Sequence, residues 1–133
     1  MASTVYLSVE QVIDLHAEAL RFGGADGLRS RHLLHSAVAQ AEQSAFGKEA
    51  YSTVPEKAAA YAFFLVMNHP FVDGNKRTGE LAMLVFLELN GFDFGEDQDQ
   101  IAEMFERLAA GEVRQEEFFA WVRVNATFRA ARR

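Results

Sequence analysis

The apolar positions along the chain follow a helical repeat almost throughout. Val9, Val12, Ile13, Leu15 and Leu20 recur at three- and four-residue steps behind Ser8, and Gln11 stands at capping-box distance from that serine. The spacing predicts a first helix over about 9–22, stopped by Gly23-Gly24. A second opens after Ser30 and carries Leu33, Leu34, Ala37, Val38 and Ala41 on one face. Thr53 opens a third, with Pro55 in its first turn and Glu56 three residues after the cap. Its body, Lys57 to Asn68, is apolar almost all round, the pattern of a helix buried on most sides. That helix has to end at His69, because the residue before Pro70 is pushed out of the α region. A fourth runs from about Asn75 to Asn90 and stops at Gly91, and Ile101–Leu108 and Phe118–Val122 begin two more. Two apolar helices joined by a short polar loop imply a central hairpin wrapped by the others, an all-α bundle of about six helices. Most of the twelve Phe belong to its core. The stretch 46–52 reads equally as a connector or a short hairpin, and Phe92 to Gly95 as a short strand.

Composition narrows the classes of function. The chain has 133 residues, half of them hydrophobic, which suits one folded domain over 1–133 and excludes intrinsic disorder. There is no Cys, so a disulfide scaffold, a thiolate zinc finger, an iron–sulfur site and a catalytic thiol are all excluded, and cytoplasmic residence is favoured. The start lacks a basic segment followed by a long apolar run, and no uncharged apolar stretch approaches the roughly 18 to 20 residues of a membrane span. With 13 Lys and Arg against 19 Asp and Glu the net charge is −6, which argues against direct nucleic-acid binding but leaves room for a small basic pocket.

One stretch, Asn68 to Gly79, departs from the bland amphipathic pattern. Between His69 and Arg77 it places a proton acceptor, a carboxylate, a glycine, an amide and two adjacent cations at the mouth of the fourth helix. Helix mouths bind anions, because their first N–H groups point outward and the helix dipole adds positive charge. Gly74 permits the close backbone approach of an anion nest, and Lys76 and Arg77 supply full charges to the same ligand. Asp73 is a hard oxygen donor suited to Mg²⁺ shared with substrate phosphates. His69 is the side-chain type that takes protons from hydroxyls near neutral pH, and Phe71 anchors the loop to the core. Singly, each residue is ordinary turn or surface chemistry. Jointly they describe phosphate transfer from a nucleotide. His16, His32 and His35 lack partners at metal-site spacing, and Arg129, Arg132 and Arg133 read as a solvated tail.

This spacing resembles the Fic motif, H-x-F-x-[D/E]-G-N-x-R, and more closely its Doc branch, the death-on-curing toxins of type II toxin–antitoxin systems, in which Lys follows the Asn as Lys76 does here. Pro55-Glu56-Lys57-Ala58 and Leu87-Glu88-Leu89-Asn90-Gly91 flank the motif as in Doc-like proteins, so the resemblance covers most of the chain. It implies a Fic-fold bundle, His69 as general base, Asp73 as the Mg²⁺ ligand and an anion nest around Gly74 and Asn75. By the same resemblance the Asn75 side chain orients phosphate or substrate, and Lys76 and Arg77 neutralise the phosphates. The wider Fic pattern has Gly at Lys76 and a second Arg at Glu80. AMP-transferring members use that Arg to grip phosphates. Its absence favours the Doc-like reaction, transfer of the γ-phosphate of ATP to a threonine of elongation factor Tu. The alternatives are adenylyl transfer and a non-catalytic binding module. The inhibitory signature [S/T]-x-x-x-E-[G/N] is broken after Ser52 and Glu56 by Lys57, so the resemblance implies a separate antitoxin bound in a groove of the bundle. Residues 46–52 stand where Fic proteins carry a flap that aligns the target, with Lys48 and Tyr51 as candidate contacts.

Overall fold

The computed structural model describes residues 3–129. Its order is α1 (Val9–Ala19), α2 (Arg31–Ala39) running into a 3₁₀ turn (Gln40–Glu42), β1 (Ser44–Ala45), β2 (Lys48–Glu49), α3 (Val54–Asn68), α4 (Asn75–Leu89), β3 (Phe92–Phe94), α5 (Gln98–Ala109), α6 (Gln115–Asn125) and β4 (Ala126–Phe128). The class is all-α, as the periodicity predicts, with two small two-stranded sheets added.

The central helix begins where its caps direct. The Thr53 hydroxyl accepts from the Glu56 N–H at 3.2 Å and the Glu56 carboxylate accepts from the Thr53 N–H at 3.4 Å, so two donors with no intrahelical partner are satisfied reciprocally. From Lys57 to Ala62 every residue of α3 is buried, which matches its all-round apolar composition. It packs lengthwise on α4, with α2 and α6 on its other faces, α1 against α4 and α5 reaching both. Gly79 makes the α3–α4 crossing close: a Cβ there would lie 3.0 Å from Val66 Cγ2 and 3.1 Å from the Ala62 carbonyl oxygen.

Polar groups inside this core are matched. The Tyr61 hydroxyl accepts from the Leu7 N–H at 2.9 Å and donates to the Leu7 carbonyl at 3.3 Å, and burial pushes its pKa up to about 12. Lys57 is buried, donates to the Tyr51 carbonyl at 2.6 Å, lies 3.4 Å from Glu49 and sits over the Tyr6 ring. Among the described residues no buried side-chain polar atom lacks a hydrogen-bond partner, and no helix is long and apolar enough to cross a membrane.

Some details sharpen the expectation and others correct it. The first helix ends at Ala19, because three-residue turn bonds (Arg21 N–H to Glu18, Gly23 N–H to Leu20) replace the helical ladder and Gly23 and Gly24 take positive φ. Phe22 is thereby left exposed, as are Phe46 and Phe128, so three of the twelve Phe lie outside the core. Residues 44–49 form a hairpin whose turn puts both Phe46 and Gly47 at positive φ, the geometry that matches strand twist. The strand over Phe92–Phe94 finds an unexpected partner in β4. Finally, Arg129 is no solvated tail: it pairs with Glu88 and with Asp93 at 3.0 Å, and donates to the Phe92 carbonyl. Arg132 and Arg133 lie outside the described residues.

Candidate active site

The loop from His69 to Gly74 joins α3 to α4 and is held from behind by the segment that joins α1 to α2. Val72 donates to the Gly27 carbonyl at 2.9 Å, Arg29 and Ser30 both donate to the Pro70 carbonyl, and Leu28 and Phe71 form an isolated antiparallel bridge. Phe71 is buried, as its apolar character between polar neighbours predicts, and stacks flat on the His16 ring with centroids 3.7 Å apart. His16 is itself buried. Its Nε2 lies 2.8 Å from the Asp73 carbonyl oxygen, and since a carbonyl only accepts, that nitrogen carries the proton.

On the outer side of this loop a cavity of about 470 Å³ opens against α5. It brings together all six residues singled out in the sequence: His69, Asp73, Gly74, Asn75, Lys76 and Arg77. Val66, Ala102, Phe105 and Ala109 give it an apolar wall, and Glu80 and Glu106 add carboxylates. His69 caps α3 in the left-handed conformation, φ 50° and ψ 55°, and is exposed to the cavity mouth. Gly74, at φ 80°, begins α4, and no described side chain caps that helix. A Cβ at Gly74 would approach Leu20 to 3.1 Å and the His16 ring to 3.5 Å, so both conformation and space require glycine.

Asp73 Oδ2 accepts from the Ala25 N–H at 3.1 Å and Oδ1 from the Gly74 N–H at 2.8 Å. These two backbone donors, Ala25 foremost, hold its carboxyl below the usual carboxylate pKa, so it stays anionic at neutral pH. Each oxygen spends one lone pair on the backbone and keeps another for a cation. Among the described residues no three His, Cys, Asp or Glu converge as a metal cage. The donor set therefore fits a hard cation that keeps most of its ligands as water or substrate oxygens, the coordination habit of Mg²⁺.

The cations are held by acids. Lys76 Nζ lies 2.5 Å from Glu106 Oε1 of α5, and Arg77 donates to Glu80 Oε2 at 3.2 Å. Glu80 is buried and also accepts from Gln98 at 2.8 Å. An anion entering here meets Lys76 and Arg77 already positioned, Lys76 by an exposed, exchangeable pair and Arg77 by a carboxylate anchored in the core. The Asn75 side chain has a structural role that the sequence reading did not include. It is buried, its Oδ1 accepts from the Phe71 N–H at 3.0 Å and its Nδ2 donates to the Phe71 carbonyl at 2.9 Å. One lone pair of Oδ1 and one N–H of Nδ2 are thus spent on closing the loop, and the second N–H is left for a ligand. Tyr51 is tied to the bundle as well as standing beside the hairpin. Its ring packs on Phe119 at 5.2 Å, its hydroxyl accepts from Gln115 and its carbonyl holds Lys57, whereas Lys48 stays exposed on the hairpin.

His16, Arg29 and Glu106 were not among the residues singled out. Histidine on a helix face, arginine in a loop and glutamate on an amphipathic helix carry no local signal, because their significance comes from the tertiary contact.

The Fic/DOC family model matches residues 6–87, more than half of the chain and all of the loop and helix mouth from His69 to Arg77. The chain belongs to the Fic/Doc family. Its relatives include a protein named Toxin Doc from Mycolicibacterium smegmatis, 42% identical over 96 residues that make up 72% of each chain. Another is Protein kinase doc of Escherichia phage P1, 29% identical over 109 residues, 81% of this chain and 85% of that one. Both place this Fic/Doc chain on the Doc branch, as the lysine after Asn75 suggests. The match ends at residue 87, so α5, which supplies Ala102, Phe105, Glu106 and Ala109 to the cavity, lies beyond it.

Proposed function

We propose that this protein is a Doc-type toxin kinase that transfers the γ-phosphate of ATP to a hydroxyl, a threonine, of a translation factor such as elongation factor Tu and so stops translation. The observation that carries this reading is the single cavity that gathers a histidine, an anionic carboxylate, two cations and an uncapped helix mouth. Such a cavity suits a triphosphate: the α4 N-terminus and the Gly74 backbone meet anionic oxygens, and Lys76 and Arg77 neutralise them from the side. His69 accepts the proton of the acceptor hydroxyl as its oxygen bonds to the γ-phosphorus, and ADP leaves with the electrons of the broken bond. Asp73 is the residue that would hold Mg²⁺, which when bound supplies charge neutralisation on the phosphates. The kinase named among the relatives supports phosphoryl transfer.

Glu80 favours this reading over adenylyl transfer. It is a buried carboxylate on the cavity wall at the position where AMP-transferring members place an arginine. A second phosphate grip is therefore replaced by a like charge, which disfavours the nucleotide orientation that exposes the α-phosphate. A separate antitoxin silences the toxin, since Glu56 is committed to the Thr53 cap and to Arg123 at 3.5 Å and cannot serve as an inhibitory glutamate. Incubation with elongation factor Tu, Mg²⁺ and ATP labelled at either the α- or the γ-phosphate tests the reading. Label from the γ-position alone, lost in His69→Ala, is the expected result, and label from the α-position refutes it.

A further inference from the structure

The C-terminus of α3 has a problem that its own sequence cannot solve. The last carbonyls of a helix need outside donors, and Pro70 follows His69 without an N–H to offer. His69 also adopts left-handed φ and ψ, a conformation that costs free energy in a residue with a Cβ and persists only when its surroundings impose it. The loop between α1 and α2 resolves both. Arg29 Nε donates to the His69 carbonyl at 2.7 Å, Arg29 Nη2 donates to the Asn68 carbonyl at 2.9 Å, and the backbone N–H groups of Arg29 and Ser30 donate to the Pro70 carbonyl at 2.7 and 3.0 Å. Three successive carbonyls, 68, 69 and 70, are thus answered by two adjacent residues.

The guanidinium suits this position for two reasons. Its fork presents two N–H groups in one plane, spaced for two neighbouring carbonyls, which an ammonium cannot match. Its charge also faces the negative end of the α3 dipole. We propose that Arg29 is a positioning residue for His69: by pinning the carbonyls on either side of the His69 N–Cα–C unit it fixes the left-handed turn and aims the imidazole into the cavity. Arg29 is not among the residues lining that cavity, so it acts through the backbone of His69. The proposal rests on the reading of His69 as the base, and it adds a second segment, distant in sequence, to what the reaction requires.

The test compares Arg29→Lys and Arg29→Ala with the full-length parent. A misaimed base slows the chemical step without weakening nucleotide binding, so kcat for phosphate transfer should fall about 10- to 100-fold while KM for ATP changes less than about threefold. Arg29→Lys, which keeps the charge and loses the fork, should fall in between. Guanidinium chloride, added well below its denaturing range, should restore a substantial part of kcat in Arg29→Ala by re-engaging the 68 and 69 carbonyls that the exposed Arg29 side chain serves, and should not stimulate the parent. The His69 ring resonances, assigned by loss in His69→Ala, should move in both variants. Unchanged kcat and unchanged His69 resonances in folded Arg29→Lys overturn the proposal. So does a loss of activity that merely follows the fraction unfolded and does not respond to guanidinium. If the parent itself transfers no label, the kinase reading fails while the His69 resonances still decide whether Arg29 positions that ring.

Discussion

Replacing Asn75 separates a structural amide from a ligand-binding one. In Asn75→Ala the Phe71 N–H and carbonyl, both inside the loop and both served by that amide at 3.0 and 2.9 Å, lose their partner together. A buried group left without a partner costs about 1–3 kcal/mol, and two on one residue, partly relieved by relaxation, about 2–4 kcal/mol. That is a large share of the roughly 5–15 kcal/mol that holds a domain folded. In urea the midpoint should drop by about 1–2 M with an unchanged slope. Asn75→Asp sharpens the test. The carboxylate can still accept from the Phe71 N–H but faces the Phe71 carbonyl with no proton to give, so burial and that carbonyl raise its folded-state pKa above the unfolded value of about 3.9. A raised acid pKa means that the folded state prefers the protonated form. The stability deficit of Asn75→Asp should therefore be full at neutral pH, shrink as pH falls through the raised value and be smallest below the unfolded one. A stability loss under about 0.5 kcal/mol in Asn75→Ala, accompanied by weakened ATP binding, would refute the loop-closing role.

Other consequences follow from single contacts. Gly79→Ala gains about 1 kcal/mol of helix propensity but drives a methyl to 3.1 Å from a backbone oxygen of α3, so overpacking of about 1–3 kcal/mol should win and the melting temperature should fall. Tyr61 should ionise near pH 12 in an ultraviolet tyrosinate titration, at a step missing from Tyr61→Phe. Its raised pKa contributes stability below the ordinary value of 10.0 that is lost as pH rises towards 12, and Tyr61→Phe should remove that loss while costing about 1–3 kcal/mol at neutral pH for the stranded Leu7 groups. Asp73 should titrate below 3.8 by carbon-detected NMR, its stabilising contribution present above that value and lost as pH falls through the folded-state pKa, and Ala25→Pro, which removes the foremost donor, should raise the midpoint.

The helices and the motif were legible in the sequence because both are local. Capping pairs such as Ser8 with Gln11 and Thr53 with Glu56 act within four residues, and a buried helix such as α3 shows its surroundings in its composition. The six residues of the motif line one cavity because a helix, a proline-stopped turn and a second helix leave the short connecting loop little freedom. What stayed hidden depends on distant partners. Nothing near Asn75 reveals that its amide will close on Phe71, since an amide suits a ligand equally. Nothing near Arg129 reveals that a tail arginine will fold back onto Glu88 and Asp93. The same holds for His16 and Arg29, each 40 or more residues from the loop atoms it supports. Glu80 was legible as a departure from the AMP-transferring pattern, but its burial against Gln98 was not.

The identity of the transferred group tests the central claim most directly. Elongation factor Tu, incubated with the protein, ATP and Mg²⁺, should gain the mass of one phosphate on a threonine, and gain nothing when His69→Ala replaces the parent. A gain of one adenylate, or a phosphate that still appears with His69→Ala, would contradict it.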